Sequence, residues 1–201
     1  MKVVLASNNS GKIQELQDFF VDFSIELIPQ GKLGVEEVAE TGFSFVENAL
    51  IKARNACRKT GLAALADDSG LVVSALKGAP GIYSARYAGP KASSIDNIQK
   101  LLFQLEQQPE CDRKAFFYCV LVFMLHEQDP TPLICEGIWQ GSILKAITGS
   151  GGFGYDPIFY VPEQGKSAAE LPIEIKNQIS HRGLALQALL AKLPYKIKQE
   201  L

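Results

Sequence analysis

The sequence lacks a long hydrophobic run, paired cysteines and an excess of charge of one sign. Its longest apolar run, residues 115–125, is far shorter than the roughly 20 residues that span a bilayer. None of its four cysteines forms a Cys-x-x-Cys pair, which argues against a zinc site and a redox dithiol. A formal net charge of −2 argues against general binding to nucleic acid or to a membrane surface, because both usually need a basic field.

At the amino terminus only residues 3–6 are apolar before polar residues begin, which is too short for the hydrophobic part of a secretory signal, so we expect none. We therefore expect a cytoplasmic protein with reduced cysteines and with no nucleic-acid or membrane partner. The net charge does not exclude a small anionic ligand, since such a ligand needs only a local group of cations.

The composition, 47% apolar and 21% charged, is typical of a globular protein. We expect residues 1–201 to form a single domain of two lobes. Strand and helix patterns alternate near the start and the middle looks antiparallel, which predicts an α/β fold with a long mixed sheet flanked by helices. The predicted strands are 2–6, 62–66, 71–76, 114–125, 132–140 and 158–161. The predicted helices are 11–20, one between Ser44 and Gly61, 94–107, 168–177, and a last one capped by Ser180.

Residues 149–159 read Gly-Ser-Gly-Gly-Phe-Gly-Tyr-Asp-Pro-Ile-Phe. So many glycines forbid a regular helix and weaken a strand. Phe153 and Tyr155 are interleaved with them, and Asp156 adds a hydrogen-bond acceptor beside the rings. The segment therefore suits a loop that holds an aromatic base. The alternative is a tight turn between strands, with the aromatic rings in the core.

Between the first strand and the first helix lies Ser7-Asn8-Asn9-Ser10-Gly11-Lys12. The amino terminus of a helix offers unpaired N–H groups and a positive dipole end, which suit an anion. Lys12 in that first turn is unfavourable unless an anion lies nearby, which suggests a bound phosphate. The segment is not a Walker A loop, because its glycine and Ser/Thr positions do not match. The alternative is an ordinary polar helix cap with an exposed lysine.

The run Asp67-Asp68-Ser69-Gly70 ends a short apolar strand in the sequence pattern. Adjacent carboxylates of a strand point to opposite faces, so one can act while the other braces the loop. A carboxylate there suits a Mg²⁺ ligand or a general base, and the alternative is a simple Asx turn. Glu40 is the second expected metal ligand, because Glu47 has the competing role of capping-box partner to Ser44.

A last polar group precedes the final helix: Lys176, then Ser180-His181-Arg182-Gly183. His181 and Arg182 in the first turn of a helix are locally unfavourable cations, which indicates an acceptor-rich ligand. The alternative for His181 is a partly buried polar residue without a role in binding.

These segments, taken together and in order, resemble the inosine-triphosphate pyrophosphatase family, whose members hydrolyse non-canonical purine triphosphates. The resemblance runs from residue 3 to about residue 190. The matching stretches are Ser7-x-Asn9-x-x-Lys12, Glu40-Thr41-Gly42, Glu47-Asn48-Ala49, 66–71, 78–87, 152–159 and 180–183. One departure is Ile147-Thr148-Gly149, where members often carry Pro-x-Gly, which puts the stiffness of the loop entry in doubt.

The resemblance implies two α/β lobes around the long mixed sheet, with the nucleotide in a cleft between them. It implies cleavage of ITP, dITP and XTP to the monophosphate and pyrophosphate, with Mg²⁺ as cofactor and a homodimer as the usual assembly. Asp68 is then metal ligand and proton acceptor, and Glu40 is a second metal contact. The implied substrate contacts are Ser7, Asn8, Asn9, Ser10, Gly11, Lys12, Ser69, Phe153, Gly154, Tyr155, Asp156, Lys176, His181 and Arg182.

Two other functions stay open on the sequence. A pyrophosphatase of modified pyrimidine nucleotides could share the fold, although the separate loop around Phe153 and the Ser180-His181-Arg182 motif favour purines. A non-enzymatic nucleotide sensor is the other, although Asp67 and Asp68 with nearby glutamates exceed what binding alone needs. A dinucleotide-dependent oxidoreductase is disfavoured, because no Gly-x-Gly-x-x-Gly follows the first strand.

Overall fold

A computed structural model of the protein describes residues 1–20, 25–108 and 110–198, apart from the side chains of Ser10 and Asp18. Its strands are β1 (Lys2–Leu5), β2 (Glu26–Pro29), β3 (Ala63–Val73), β4 (Lys114–Met124), β5 (Leu133–Ile143), β6 (Phe159–Val161) and β7 (Lys166–Ser167). Its α-helices are α1 (Ser10–Phe19), α2 (Phe45–Thr60), α3 (Ser94–Glu106), α4 (Ile173–Ile179) and α5 (His181–Lys198). Among the described residues no helix is both long and apolar enough to cross a membrane.

The strands form one sheet of seven in the order β2-β1-β3-β4-β5-β6-β7. The strand β1 runs parallel to both of its neighbours, β2 and β3. The strand β6 runs antiparallel to its neighbours β5 and β7. The prediction of an α/β fold with a mixed sheet and flanking helices is therefore confirmed. The short strands β2 and β7 have no counterpart in the sequence prediction.

The chain divides into two compact units. Unit 1 comprises Met1–Asp68, Cys119–Gly137 and Leu184–Leu201, and unit 2 comprises Ser69–Tyr118 and Ile138–Gly183. The core of unit 1 packs strand residues such as Leu5, Leu65 and Leu121 against Leu16 of α1 and Leu189 of α5. All five of these side chains are fully buried, so burial of apolar surface is the main force that holds the unit together.

The core of unit 2 is aromatic. Phe117 of β4, Trp139 of β5 and Phe159 of β6 pack together, with ring centroids of Phe117 and Phe159 4.6 Å apart. Leu71 and Leu101 complete this core from β3 and α3. The division of the domain into two lobes around a nucleotide cleft stays a prediction.

Local signals in the sequence mark the ends of α2 correctly. The Ser44 hydroxyl accepts a hydrogen bond from the Glu47 N–H, and Gly61 ends the helix in the left-handed conformation with φ +68°. Glycine reaches that conformation without strain, which is why it ends so many helices.

Two sequence predictions about secondary structure are wrong. The strand does not break at residues 67–70, because β3 runs continuously from Ala63 to Val73. Carboxylates are normally depleted in strands, but here both find lysine partners, as described below. The helix predicted over 168–177 is interrupted, because Pro172 disfavours helical backbone at Leu171, which is extended with ψ 138°.

A buried ion pair anchors the last helix of unit 1. The Lys196 ammonium donates to Asp129 Oδ1 at 2.8 Å and to the Thr131 carbonyl at 2.7 Å. Burial would raise the pKa of Asp129, but hydrogen bonds, first from Lys196 and then from backbone N–H groups, outweigh it and lower the pKa. A carboxyl whose pKa falls on folding stabilises the protein above its unfolded pKa, and that contribution is lost as pH falls through the lowered value.

We expect the substitution Lys196→Met to lower the free energy of unfolding at pH 7 by about 3 kcal/mol, because it leaves a buried carboxylate without its cation. Urea denaturation measures this change. The control is Lys192→Met, since Lys192 is exposed on the same helix. Equal stability of the two variants would contradict the anchoring role of the pair.

Candidate functional site

The segment between β1 and α1 is held by its own polar side chains. Asn9 is the N-cap of α1 and accepts a hydrogen bond from the Lys12 N–H at 3.1 Å. The Asn9 N–H in turn donates to the Ser7 hydroxyl at 3.2 Å. Ser7 is buried whereas Asn8 and Asn9 are exposed, and the backbone of α1 begins at Ser10. The predicted capped turn with Lys12 in its first turn is therefore present.

The anion that offsets Lys12 at this helix terminus is a carboxylate of the chain itself. The Lys12 ammonium lies 3.1 Å from Oδ1 and 2.9 Å from Oδ2 of Asp67. The side chain of Asp67 is only 1% exposed, whereas that of Lys12 is 18% exposed. Lys12 is thus held in place by its buried partner and still reaches solvent.

Asp68, the next residue of β3, pairs with a different lysine. The Lys52 ammonium of α2 lies 3.0 Å from Asp68 Oδ1 and 2.9 Å from Glu40 Oε1. Burial would lower the pKa of Lys52, but the charges of Asp68, Asp67 and Glu40 outweigh it and raise the pKa. Burial raises the pKa of Asp68, and the nearby charge of Lys52 only partly opposes this. The ammonium of Lys52 therefore binds both expected metal ligands, Asp68 and Glu40, at once.

One oxygen of this group can accept a further cation. The Oδ2 atom of Asp68 is buried and has no hydrogen-bond partner within the described part of the chain. A buried carboxylate oxygen without a donor is costly, and a hard cation such as Mg²⁺ would satisfy it. The described residues gather no group of three or more metal-ligating side chains. The donors present thus fit a cation that takes its other ligands from water and substrate.

Glu47, the competitor of Glu40, is used in the cap of α2. Its Oε2 accepts from the Ser44 hydroxyl at 2.8 Å and from the Phe43 N–H at 2.9 Å. These hydrogen bonds, first that of Ser44, lower the pKa of Glu47. This geometry supports Glu40 over Glu47 as the second carboxylate of the site.

In unit 2 the glycine-rich loop is organised by Asp156. Its Oδ2 accepts from the Phe153 N–H at 2.8 Å and from the Lys176 ammonium at 2.7 Å. Asp156 and Lys176 are both buried, whereas the Phe153 ring is 39% exposed. The loop thus exposes the Phe153 ring, and the buried ion pair of Asp156 and Lys176 holds the backbone beneath it.

Two buried cations lie against the Phe153 ring. The Lys176 ammonium is 4.8 Å from the centroid of the Phe153 ring, and the Arg182 guanidinium carbon is 5.8 Å from it. Arg182 also donates from Nη2 to the Ser69 hydroxyl at 3.1 Å. Cations over a ring attract its negative face, so the ring and both cations are held as one unit.

His181 and Gly183 fix the start of α5. The imidazole of His181 stacks on the Phe117 ring, with centroids 4.7 Å apart and planes 11° apart. The Ser180 hydroxyl accepts from the Gly183 N–H at 3.2 Å, which is the predicted cap of the last helix. A Cβ atom on Gly183 would overlap the Asn177 carbonyl of α4, so only glycine allows the two helices to meet this closely.

Two residues of the loop differ in their surroundings. Gly154 has φ +61°, and a Cβ atom built on it would meet nothing within 4 Å. Tyr155 is only 4% exposed and packs in the aromatic core of unit 2. The loop therefore combines the two alternatives that the sequence left open, since one aromatic ring is presented and the other is in the core.

The entry to the loop is held despite its lack of proline. The Thr148 N–H donates to the Pro157 carbonyl at 2.8 Å, and the Thr148 carbonyl accepts from the Ser167 hydroxyl at 2.7 Å. The Gly151 N–H donates to the Ala169 carbonyl at 3.1 Å. Hydrogen bonds thus supply the constraint that Pro-x-Gly would otherwise give.

The structure therefore brings the candidate residues together in two groups. The first group, in unit 1, is Lys12, Glu40, Lys52, Asp67 and Asp68. The second group, in unit 2, is Ser69, Phe153, Asp156, Lys176 and Arg182, with His181 beside it in sequence.

Comparison with known protein families places the chain in a family. A sequence profile of the Ham1 family matches residues 3–192. The chain belongs to the Ham1 family.

Similar members of the Ham1 family have a stated activity in their names. The chain is 57% identical to the dITP/XTP pyrophosphatase of Vibrio parahaemolyticus over 192 residues, which cover 96% of each chain. It is 56% identical to the dITP/XTP pyrophosphatase of Pectobacterium atrosepticum, over 96% of this chain and 98% of that one. The resemblance to the pyrophosphatase family, seen first in the motifs, is thereby confirmed.

A solved Ham1 structure has the same fold. The HAM1 protein from Coxiella burnetii superposes with a TM-score of 0.92 at 52% identity, covering 97% of this chain and 99% of that one. The likeness confirms the α/β fold over nearly the whole length of the chain.

Sequence reasoning missed three residues of the two groups and their supports. Lys52 lies in the middle of α2 and belongs to no local motif, although it stands on the same helix as Glu47, five residues later. Phe117 supports His181 from β4, and the Ser84 hydroxyl lies inside the 78–87 motif. Of these three residues, only Ser84 could have been found from the sequence, because it lies in a family motif, residues 78–87, to which no role had been assigned.

The glycine at 152 is required by Asp156 and can be tested against the glycine at 154. Both have positive φ, +71° and +61°, but a Cβ atom on Gly152 would overlap the Asp156 carboxylate. We expect Gly154→Ala to cost about 1–2 kcal/mol of stability from backbone strain alone. Gly152→Ala should cost about 1–3 kcal/mol more, because Asp156 must shift away from Phe153 and Lys176.

Thermal unfolding of the two variants measures the difference. Because strain is matched, the comparison isolates the overlap with the carboxylate. Equal melting temperatures would show that Asp156 does not need the space at residue 152.

Proposed function

We propose that this chain hydrolyses the non-canonical purine nucleoside triphosphates ITP, dITP and XTP to the monophosphate and pyrophosphate. High identity to relatives named dITP/XTP pyrophosphatase, across nearly the full chain, carries this conclusion. Each of the two groups has side chains of a kind that such a substrate requires. The group in unit 1 suits a triphosphate with its metal, and the group in unit 2 suits a purine base.

Asp68 and Glu40 are the residues that would hold Mg²⁺. The Asp68 Oδ2 atom, buried and without a hydrogen-bond donor in the described residues, supports this assignment. When bound, Mg²⁺ supplies positive charge that offsets the charge of the phosphates. To engage the metal, the two carboxylates would exchange their shared contact with Lys52, which leaves this ammonium available to a phosphate oxygen.

Asp68 is also the proton acceptor for the attacking water. Burial raises the pKa of this carboxyl, so its conjugate base is stronger than that of an ordinary aspartate. Lys12 and the capped segment Ser7, Asn8, Asn9, Ser10 and Gly11 bind phosphate oxygens with the ammonium and the helix N–H groups. Phosphoryl-group chemistry depends mainly on positioning and charge, and these residues supply both.

Phe153 offers the stacking face for the purine, and Gly154 leaves the adjoining backbone open. Arg182, with Lys176, His181 and Ser69, donates hydrogen bonds toward the carbonyl at the 6-position of hypoxanthine or xanthine. Adenine presents an amino donor at that position and so meets a donor. Guanine keeps the 6-carbonyl, so its rejection falls to the 2-position, either through the shape of the loop or through Asp156.

The resemblance also supports a homodimeric, cytoplasmic enzyme that binds neither nucleic acid nor membranes.

Pyrophosphate release from a panel of triphosphates with Mg²⁺ tests the activity. We expect kcat/KM for ITP, dITP and XTP to exceed that for ATP by up to about 10⁴-fold, since binding of adenine would leave buried hydrogen-bonding groups unpaired. Little release without Mg²⁺ should accompany this preference. Comparable values for ITP and ATP would contradict base choice at the 6-position, and a preference for modified pyrimidines would favour that rival.

We expect Asp68→Asn to lower kcat by about 10²–10⁴-fold, because the proton acceptor and one metal ligand are lost together. The matched control is Asp112→Asn, whose carboxylate is 58% exposed and pairs with the exposed Lys114. Steady-state pyrophosphate assays measure both variants. Near-normal turnover of Asp68→Asn would rule out this role, and tight ITP binding without any release by the unsubstituted protein would identify a sensor.

A further inference from the structure

Tyr155 makes a buried hydrogen bond that the proposed chemistry does not use. Its phenol hydroxyl donates to the Ser84 carbonyl at 2.9 Å. Tyr155 is 4% exposed and Ser84 is 8% exposed. Burial raises the pKa of Tyr155, so the hydroxyl keeps its proton and remains a donor at neutral pH.

Ser84 is itself fixed from two sides. Its hydroxyl accepts from the Leu71 N–H of β3 at 2.9 Å and donates to the Gly81 carbonyl at 2.6 Å. Leu71 is fully buried in the core of unit 2. Ser84 therefore links the central strand β3 to Tyr155, since its hydroxyl accepts from Leu71 and its backbone carbonyl accepts from Tyr155. This gives a physical role to the motif over residues 78–87.

On its other side, Tyr155 is joined directly to the residues that face the base. Asp156 follows it in sequence and holds the Phe153 N–H and the Lys176 ammonium on one oxygen. Gly152 and Gly154 flank Phe153 with φ +71° and +61°. Because glycine backbone is conformationally free, the position of Phe153 depends on the contacts of its neighbours.

We propose that Tyr155 is a positioning residue whose hydroxyl, through Ser84, holds the Phe153 ring and the Asp156 carboxylate where a purine base is bound. This inference rests on the proposed function and deepens it, since it assigns base affinity to a buried bond. Because the Tyr155 ring is buried, this role also replaces the expected direct contact between Tyr155 and the substrate.

The test is Tyr155→Phe, which removes the hydroxyl and keeps the packed ring. We expect KM for dITP to rise about tenfold and kcat to stay within about twofold, because loss of one buried hydrogen bond loosens base binding and not the reacting end. The dITP-to-dGTP ratio of kcat/KM should fall as well. An unchanged KM, or a loss confined to kcat, would overturn the proposal.

A measurement without substrate separates this inference from the proposed activity. Amide hydrogen exchange in unliganded Tyr155→Phe should be about tenfold faster in residues 152–156 and unchanged in α2. Uniformly faster exchange would indicate a general loss of stability and would overturn the positioning role. Failure of the unsubstituted protein to release pyrophosphate would refute the activity, while the exchange result would still decide the role of Tyr155.

Two further variants sharpen the result. Thr60→Val is the matched control, since it removes a hydroxyl that donates to the Ala56 carbonyl at 2.7 Å in unit 1. It should leave both KM and exchange in residues 152–156 unchanged. Ser84→Ala removes the hydroxyl that fixes Ser84 to Leu71 and Gly81 but keeps the carbonyl that accepts from Tyr155. Because the Tyr155 bond positions the loop only if this carbonyl is itself fixed, the double variant with Tyr155→Phe should be no worse than the more severe single variant. Additive effects on KM would show independent roles and contradict the proposal.

Discussion

Two lysines hold two neighbouring carboxylates in the middle of a β-strand, and the group in unit 1 depends on this pairing. Asp67 and Asp68 are consecutive, so their side chains leave opposite faces of β3. Lys12 reaches one from α1, and Lys52 reaches the other from α2. Without these partners, two buried charges would make the strand unfavourable. The contacts that hold this part of unit 1 together are therefore the same ones that fix its candidate site residues.

Unit 2 also contains a buried lysine–carboxylate pair, but here the carboxylate organises the candidate residues. The buried Asp156 carboxylate holds a lysine and a backbone N–H, so its own charge is satisfied within the protein. What remains presented is the ring of Phe153, which two buried cations contact. In both units a buried ion pair fixes a side chain that still reaches solvent, which is the physical basis for a preorganised site.

The sequence could predict what local chemistry decides. Asn9, Ser44 and Gly61 act at helix ends through bonds to residues three or four positions away, and these positions were readable. The prediction that the strand ends at the paired aspartates is wrong, because intrinsic preference disfavours aspartate in strands and the lysine partners come from distant segments. Lys52 and Phe117 carried no local signal, since each acts only through a residue far away in sequence. The family resemblance supplied the candidate residues, whereas their supports needed the fold.

The close approach at Gly183 couples the positions of two buried cations. Lys176 and Arg182 lie on consecutive helices, α4 and α5, and a Cβ atom on Gly183 would overlap the Asn177 carbonyl. Any substitution at residue 183 would therefore force the two helices apart. The distances of both cations from the Phe153 ring would then change together, so one small residue between the helices sets the geometry of a charged group that it does not itself touch.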